Sequence, residues 1–126
     1  MSEESLHQAV CNYLRLQYPK ILFNSDMSGV RLTPGQAKKI NSLRSSRGWP
    51  DIHIPEPRGI YHGLFIELKK EGEKIYKKDG ITPISDHISE QIELMEKLYI
   101  RGYKVDFCIG FNSAKKMIDE YLKLRV

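Results

Sequence analysis

Apolar residues return at three- and four-residue steps near the start of the chain: Leu6, Val10, Tyr13 and Leu14. That spacing predicts a helix over residues 4 to 17, and Pro19 ends it. Residues 21 to 24 form a short apolar run of strand length. Pro34 suits the first turn of a basic helix reaching about residue 46, with Ala37, Ile40 and Leu43/Arg44 on one side. Gly48, Trp49 and Pro50 break that pattern. Residues 51 to 54 alternate as a strand does, and Pro55 and Pro57 stop them. After a turn at Arg58-Gly59, residues 61 to 70 read as a second strand. Leu64, Ile66 and Leu68 lie on one face, and Phe65, Glu67 and Lys69 on the other.

The remainder is equally patterned. Residues 71 to 84 are polar and Lys-rich, which predicts a loop or short hairpin. Ser85 or Asp86 caps a helix running to residue 101, with Ile88, Ile92, Met95 and Tyr99 as its stripe and Gly102 closing it. Residues 104 to 110 alternate through Val105, Phe107 and Ile109. Ser113 then caps a last helix containing Met117, Ile118, Tyr121 and Leu122. Helices alternate with strands around one hairpin. The pattern predicts one α/β domain over residues 1 to 126, with a mixed sheet and helices on its faces.

Composition narrows the class. With 126 residues, 40% of them hydrophobic and 29% charged, the chain buries roughly two thirds of its unfolded surface and needs no disulfide or structural metal. No apolar run approaches the ~18 residues of a membrane span. The opening Met-Ser-Glu-Glu-Ser is acidic and polar, unlike a secretory signal. Cys11 and Cys108 lie far apart among apolar neighbours and match no metal spacing, as expected of buried, reduced thiols in a cytosolic protein. His7, His53, His62 and His87 form no ligand spacing either. Trp49 is expected to pack at the base of the hairpin. Glu71, Glu73, Lys74, Lys77 and Lys78 are expected to be solvated loop charges.

The net charge of +4 says little by itself. Its distribution says more. Residues 27 to 48 hold Arg31, Lys38, Lys39, Arg44 and Arg47 and no acidic residue. Such a block is an electrostatic footprint for a polyanion.

That block leads into the residues that carry chemistry. Glu67 and Lys69 are two apart in a strand and so point the same way. A hairpin between residues 51 and 69 can bring Asp51 beside Glu67. Two adjacent carboxylates with a backbone carbonyl are hard oxygen donors suited to Mg²⁺ or Mn²⁺. A lysine beside them can orient an attacking water or stabilise charge developing on a phosphate. A lone Glu-x-Lys is usually an exposed cross-strand pair. Here the strand is otherwise apolar, so Glu67 is expected to be partly buried and to want a cation.

Pro50-Asp51, fifteen residues, then Glu67-Leu68-Lys69 resembles the motif of the PD-(D/E)xK nuclease superfamily. Within it the chain resembles a VRR-NUC domain. The likeness includes Glu4 and Gln8, the segment from Asn24 to Gly29, and Gly48 to Ile52. It continues through Gly63 to Lys69, Ser89 to Gln91, and Arg101 to Tyr103. It covers nearly the whole chain in order. The resemblance implies a restriction-endonuclease-like core, a mixed central β-sheet flanked by helices. It implies Asp51, Glu67 and the Leu68 carbonyl as metal ligands, and Glu4 as a helix carboxylate reaching the metal directly or through water. Lys69 would position the water, and Gln91 would support the lysine or contact DNA.

The activity so implied is a Mg²⁺-dependent endonuclease, with Mn²⁺ substituting, in the cytoplasm of a bacterial or phage-infected cell. Its expected substrate is branched DNA, such as a Holliday junction, and its expected state a homodimer. Arg31, Lys38, Lys39, Arg44 and Arg47 would bind the DNA. A nickase or restriction-like nuclease on flap or linear DNA, and a DNA-binding accessory protein with a vestigial site, are the alternatives.

Overall fold

The computed structural model describes residues 1 to 26 and 31 to 126. Met27 to Gly29, part of the likeness to VRR-NUC domains, lie outside the described residues. Among the described residues eight elements follow in order: α1 (Glu3–Gln17), β1 (Asn24–Ser25), α2 (Pro34–Asn41), β2 (Ile52–Ile54), β3 (Leu64–Lys69), α3 (Asp86–Ile100), β4 (Lys104–Ile109) and α4 (Phe111–Leu122). The strands form one sheet in the order β1-β2-β3-β4. The β1/β2 and β2/β3 pairs are antiparallel, and β3/β4 is parallel, with α3 in the connection. This is the mixed sheet with flanking helices that the pattern predicts.

The core explains why β3 reads as almost continuously apolar. Leu64, Ile66 and Leu68 pack with Ile52 and Ile54 against Leu6, Val10 and Leu14 of α1 and Ala114, Ile118 and Tyr121 of α4. On the other face Phe65 packs against Leu94 and Leu98 of α3, with Trp49, Tyr103 and Val105 around them. All six residues of β3 are therefore buried, Glu67 and Lys69 included. A strand covered on both faces has no solvated side on which to place charge.

Several boundaries differ from the expected ones. The strand expected over residues 21 to 24 is Asn24–Ser25, paired with His53 and Ile52. Helix α2 stops at Asn41 rather than near 46. Thr33 and Gln36 form a capping box at its start, but Leu43 is exposed, so no apolar contact draws the helix onward. The strand expected from residue 61 begins at Leu64. Tyr99 is exposed, and the buried stripe of α3 is Ile88, Gln91, Leu94, Met95 and Leu98. Helix α4 is entered from Gly110 at φ 84° with no side-chain cap, earlier than a Ser113 cap would place it. Residues 71 to 84 do form a short hairpin, bridged at Tyr76 and Pro83 and turned by Asp79, whose carboxylate accepts from the Ile81 and Thr82 N–H groups. Cys11 and Cys108 are buried, free thiols. No helix among the described residues is long and apolar enough to cross a membrane.

Candidate active site

The register of β2 on β3 brings the acidic residues together. Ile52 pairs with Ile66, so one further antiparallel step sets Asp51 opposite Glu67. Strand pairing ends there, and a side chain continues it. The Asp51 carboxylate accepts a hydrogen bond from the Leu68 N–H at 2.7 Å, and the Asp51 carbonyl accepts from Asp26 N–H at 2.7 Å. In an extended strand the N–H and C=O of one residue point to the same edge. The Leu68 carbonyl therefore faces the side on which Asp51 lies.

Glu67 and Lys69 stand on the α3 face of the sheet with their heads 3.6 Å apart, both almost fully buried. The second Glu67 oxygen, Oε1, is buried without a hydrogen-bond partner, as is Oε1 of Gln91 on α3. Burial pushes the Glu67 carboxyl well above the ordinary glutamate range, and the neighbouring Asp51 carboxylate adds to the rise against the pull of Lys69. A buried carboxylate pair with an unpartnered oxygen is a site short of positive charge.

These groups share a cleft of about 390 Å³, lined by Asp51, Glu67, Leu68, Lys69 and Gln91 together with Glu3, His7, Asn41, Arg44, Arg47, Gly48, Trp49, His87 and Glu90. Gly48 lets the 47–49 turn close onto α3. Its φ is +86°, and a Cβ there would sit 3.1 Å from the Glu90 carbonyl oxygen and 3.2 Å from the Gln91 Cα.

The remaining expected residues divide. Glu4 is exposed and is not among the cleft residues; the α1 carboxylate that lines the cleft is Glu3. The helix phase accounts for this placement. Glu3 falls in step with His7, Val10 and Leu14, the side of α1 turned to the sheet, and Glu4 does not. Arg44 and Arg47 line the cleft, whereas Arg31, Lys38 and Lys39 are exposed away from it. Arg44 is tied to Asp26 at 2.7 Å, so part of the basic block's charge is matched by the acidic residue just before it.

Sequence reasoning passed over His7. It is a polar residue on the buried stripe of α1, and its Nε2 shares a hydrogen bond with Ser25 Oγ at 2.9 Å. A histidine in phase with apolar residues is the signal that points to it.

Among the described residues no three His, Cys, Asp or Glu side chains gather into a metal-binding group. The donors at hand are two carboxylates and the Leu68 carbonyl. That suits Mg²⁺, which is commonly bound through one or two carboxylates while retaining waters and taking substrate phosphate oxygens.

No protein-family model matches the sequence, and no curated protein matches it. The fold does find relatives. A solved structure described as a "VRR_NUC domain protein" superposes with a TM-score of 0.70 at 25% identity, covering 99% of this chain and 91% of that one. The chain has the VRR-NUC domain fold. A second structure, described as a "VRR_NUC domain", aligns over 96% of this chain and 99% of its own at 23% identity, with a TM-score of 0.50. The VRR-NUC fold thus spans the sheet and all the helices that wall the cleft.

Proposed function

We propose that this VRR-NUC chain is a metal-dependent endonuclease that hydrolyses phosphodiester bonds in branched DNA. The observation that carries the reading is the buried Glu67, paired with Lys69 at 3.6 Å, beside Asp51, and left with one unpartnered oxygen on an open cleft. Asp51, Glu67 and the Leu68 carbonyl would hold Mg²⁺, with Mn²⁺ able to replace it. Such an ion, when bound, polarises the phosphate and makes a bound water more acidic.

The chain's own groups do the rest. The Lys69 ammonium donates to the attacking water and holds it in line with the scissile bond. The same charge offsets the negative charge that grows on the phosphate oxygens as the bond breaks. Water attacks phosphorus directly as the P–O bond to the sugar breaks; the water's proton passes to solvent, the departing sugar oxygen takes a proton from solvent, and no covalent intermediate forms with the protein. Gln91 Oε1 accepts a hydrogen bond from that water or from the lysine. Glu3, which also lines the cleft, takes the role expected of Glu4. Arg44 and Arg47 hold phosphates at the rim.

Contacts to phosphates do not read sequence, so the shape of a branch is the feature recognised. A four-way junction cut on paired strands calls for two sites related by two-fold symmetry, hence a homodimer.

Incubating the protein with labelled junction, flap, nicked and linear DNA tests the reading. Cleavage is expected with Mg²⁺ or Mn²⁺, fastest on the junction, and absent in a chelator. Tight binding without cleavage in either metal would instead mark an accessory protein with a vestigial site.

A further inference from the structure

Beside the cleft, and sharing Trp49 as a wall with it, lies a larger pocket of about 680 Å³. Its floor is aromatic. His53 stacks on Phe65 with ring centres 4.1 Å apart and planes 5° from parallel. Tyr103 stands edge-on to Phe65 at 5.2 Å, and the Trp49 ring is tilted over Phe65 at 6.2 Å. Trp49 and His53 each carry a buried ring nitrogen, Nε1 and Nε2, without a hydrogen-bond partner. The exposed Arg101 also lines the pocket.

Unpaired buried polar atoms are costly, and a fully apolar occupant would leave them so. Trp49 Nε1 can only donate, so its partner must accept. His53 Nε2 can donate or accept according to tautomer. The occupant that suits this pocket has a flat face for the rings, both kinds of polar group on its edge, and an attached anion within reach of Arg101. A nucleobase on a phosphate backbone has all three.

We infer that this pocket takes one unstacked base of the DNA strand bound in the neighbouring cleft, an inference that rests on the nuclease reading above. A base inside a duplex is covered by its neighbours and cannot enter; a base at a branch, flap or gap is already free. The pocket therefore supplies a physical reason for selecting branched over continuous duplex, which phosphate contacts alone do not. Ring-on-base stacking is tolerant of base identity, so selection is for an unpaired nucleotide rather than for a sequence.

The test uses the intact chain in a chelator, so that nothing is cut, and three labelled duplexes. One carries a single unpaired nucleotide, one the same position without its base, and one is fully paired. The first is expected to bind about tenfold or more tighter than the other two. It is also expected to change the fluorescence of Trp49, the single tryptophan. Trp49→Phe keeps a ring and removes the N–H, and should shrink the preference measured by anisotropy without lowering the melting temperature much. Arg101→Gln removes the charge at the exposed end of the pocket, together with a hydrogen bond to the Lys97 carbonyl, and should weaken binding of the unpaired-base duplex more than that of the other two, with melting curves checking that α3 is intact. Equal binding of all three duplexes overturns the base pocket and leaves the nuclease reading intact. Binding of none of them also overturns the base pocket, while the nuclease reading is decided separately by cleavage of the junction in Mg²⁺.

Discussion

Asp51 and Leu68 are joined by a 2.7 Å hydrogen bond from the Leu68 backbone N–H to the Asp51 carboxylate. This bond prolongs the β2/β3 ladder by one side chain. It holds one Asp51 oxygen against the Leu68 backbone, whose carbonyl lies on the same edge of the strand. The candidate metal site is thus built on the end of a sheet rather than on a loop.

Lys69→Met tests the buried pair. The variant leaves Glu67 without its nearby cation, so metal-free stability should fall by on the order of 3 kcal/mol at pH 8. The sign of its pH dependence follows from Glu67. Burial, then Asp51, raise its folded value above the unfolded one near 4.3, so the folded state binds the proton more tightly. Stability contributed by this group therefore declines as pH rises through that window. Chemical denaturation at pH 5 and pH 8 should show the deficit of Lys69→Met widening with pH, and cleavage should be lost at both. A deficit independent of pH would mean that Glu67 does not titrate as the structure implies.

Asp119 makes a second, opposite pH prediction far from the cleft. Burial raises its carboxyl, but the Tyr13 and Tyr18 hydroxyls and the Lys115 ammonium outweigh that and hold it below the ordinary aspartate value. Both tyrosines donate to Oδ1, at 2.5 and 2.6 Å. A depressed carboxyl stabilises above its unfolded value, about 3.9, and the benefit is lost as pH falls through the folded value. Replacing both tyrosines with Phe should lower the melting temperature at pH 7, and the difference from wild type should shrink on acidification below about pH 4. Melting curves across that range check it.

Gly48→Ala should damage the cleft without touching its chemistry. The left-handed φ alone costs about 1–2 kcal/mol, and the new Cβ meets the backbone of Glu90 and Gln91. Loss of stability together with weaker DNA cleavage is expected. Gly35→Ala, where a Cβ meets nothing within 4 Å in the first turn of α2, should leave both almost unchanged.

The basic block should divide by position. Lys38→Gln with Lys39→Gln should flatten the salt dependence of DNA affinity by up to about one unit for each phosphate no longer neutralised, while single-turnover cleavage at saturation stays near wild type. Arg47→Gln, within the cleft, should lower both affinity and cleavage. An unchanged salt slope in the lysine variant would move the outer DNA surface to the Lys74, Lys77 and Lys78 hairpin.

What the chain discloses by itself follows from where packing repeats. Strand β3 is legible because its apolar run stops at the polar hairpin, although its start at Leu64 rather than residue 61 is not, and α3 is legible because Ser85 and Gly102 mark its ends. The pairing of Asp51 with Glu67 is legible as a hairpin possibility; its geometry needs the β2/β3 register. Which of Glu3 and Glu4 lines the cleft is not legible, because two adjacent acidic residues in a first turn look alike until the helix phase is anchored by His7, Val10 and Leu14. Helix α2 ends sooner than its pattern suggests because Leu43 has the right spacing but no partner. The aromatic pocket is not legible at all. Trp49, His53, Phe65 and Tyr103 come from four separate stretches, and only the sheet brings them together.

Joint binding of a divalent cation by Asp51 and Glu67 is what the proposed hydrolysis stands on. Single-turnover cleavage of a labelled four-way junction in Mg²⁺ by Asp51→Asn and Glu67→Gln probes it, beside the affinity of each variant for the same DNA in a chelator. Both substitutions keep size and a hydrogen-bonding oxygen, so the fold should persist. Cleavage should fall on the order of a thousandfold or more in each, with affinity equal to or above wild type because negative charge near the phosphates has gone. Cleavage at the wild-type rate by either variant would refute the metal site.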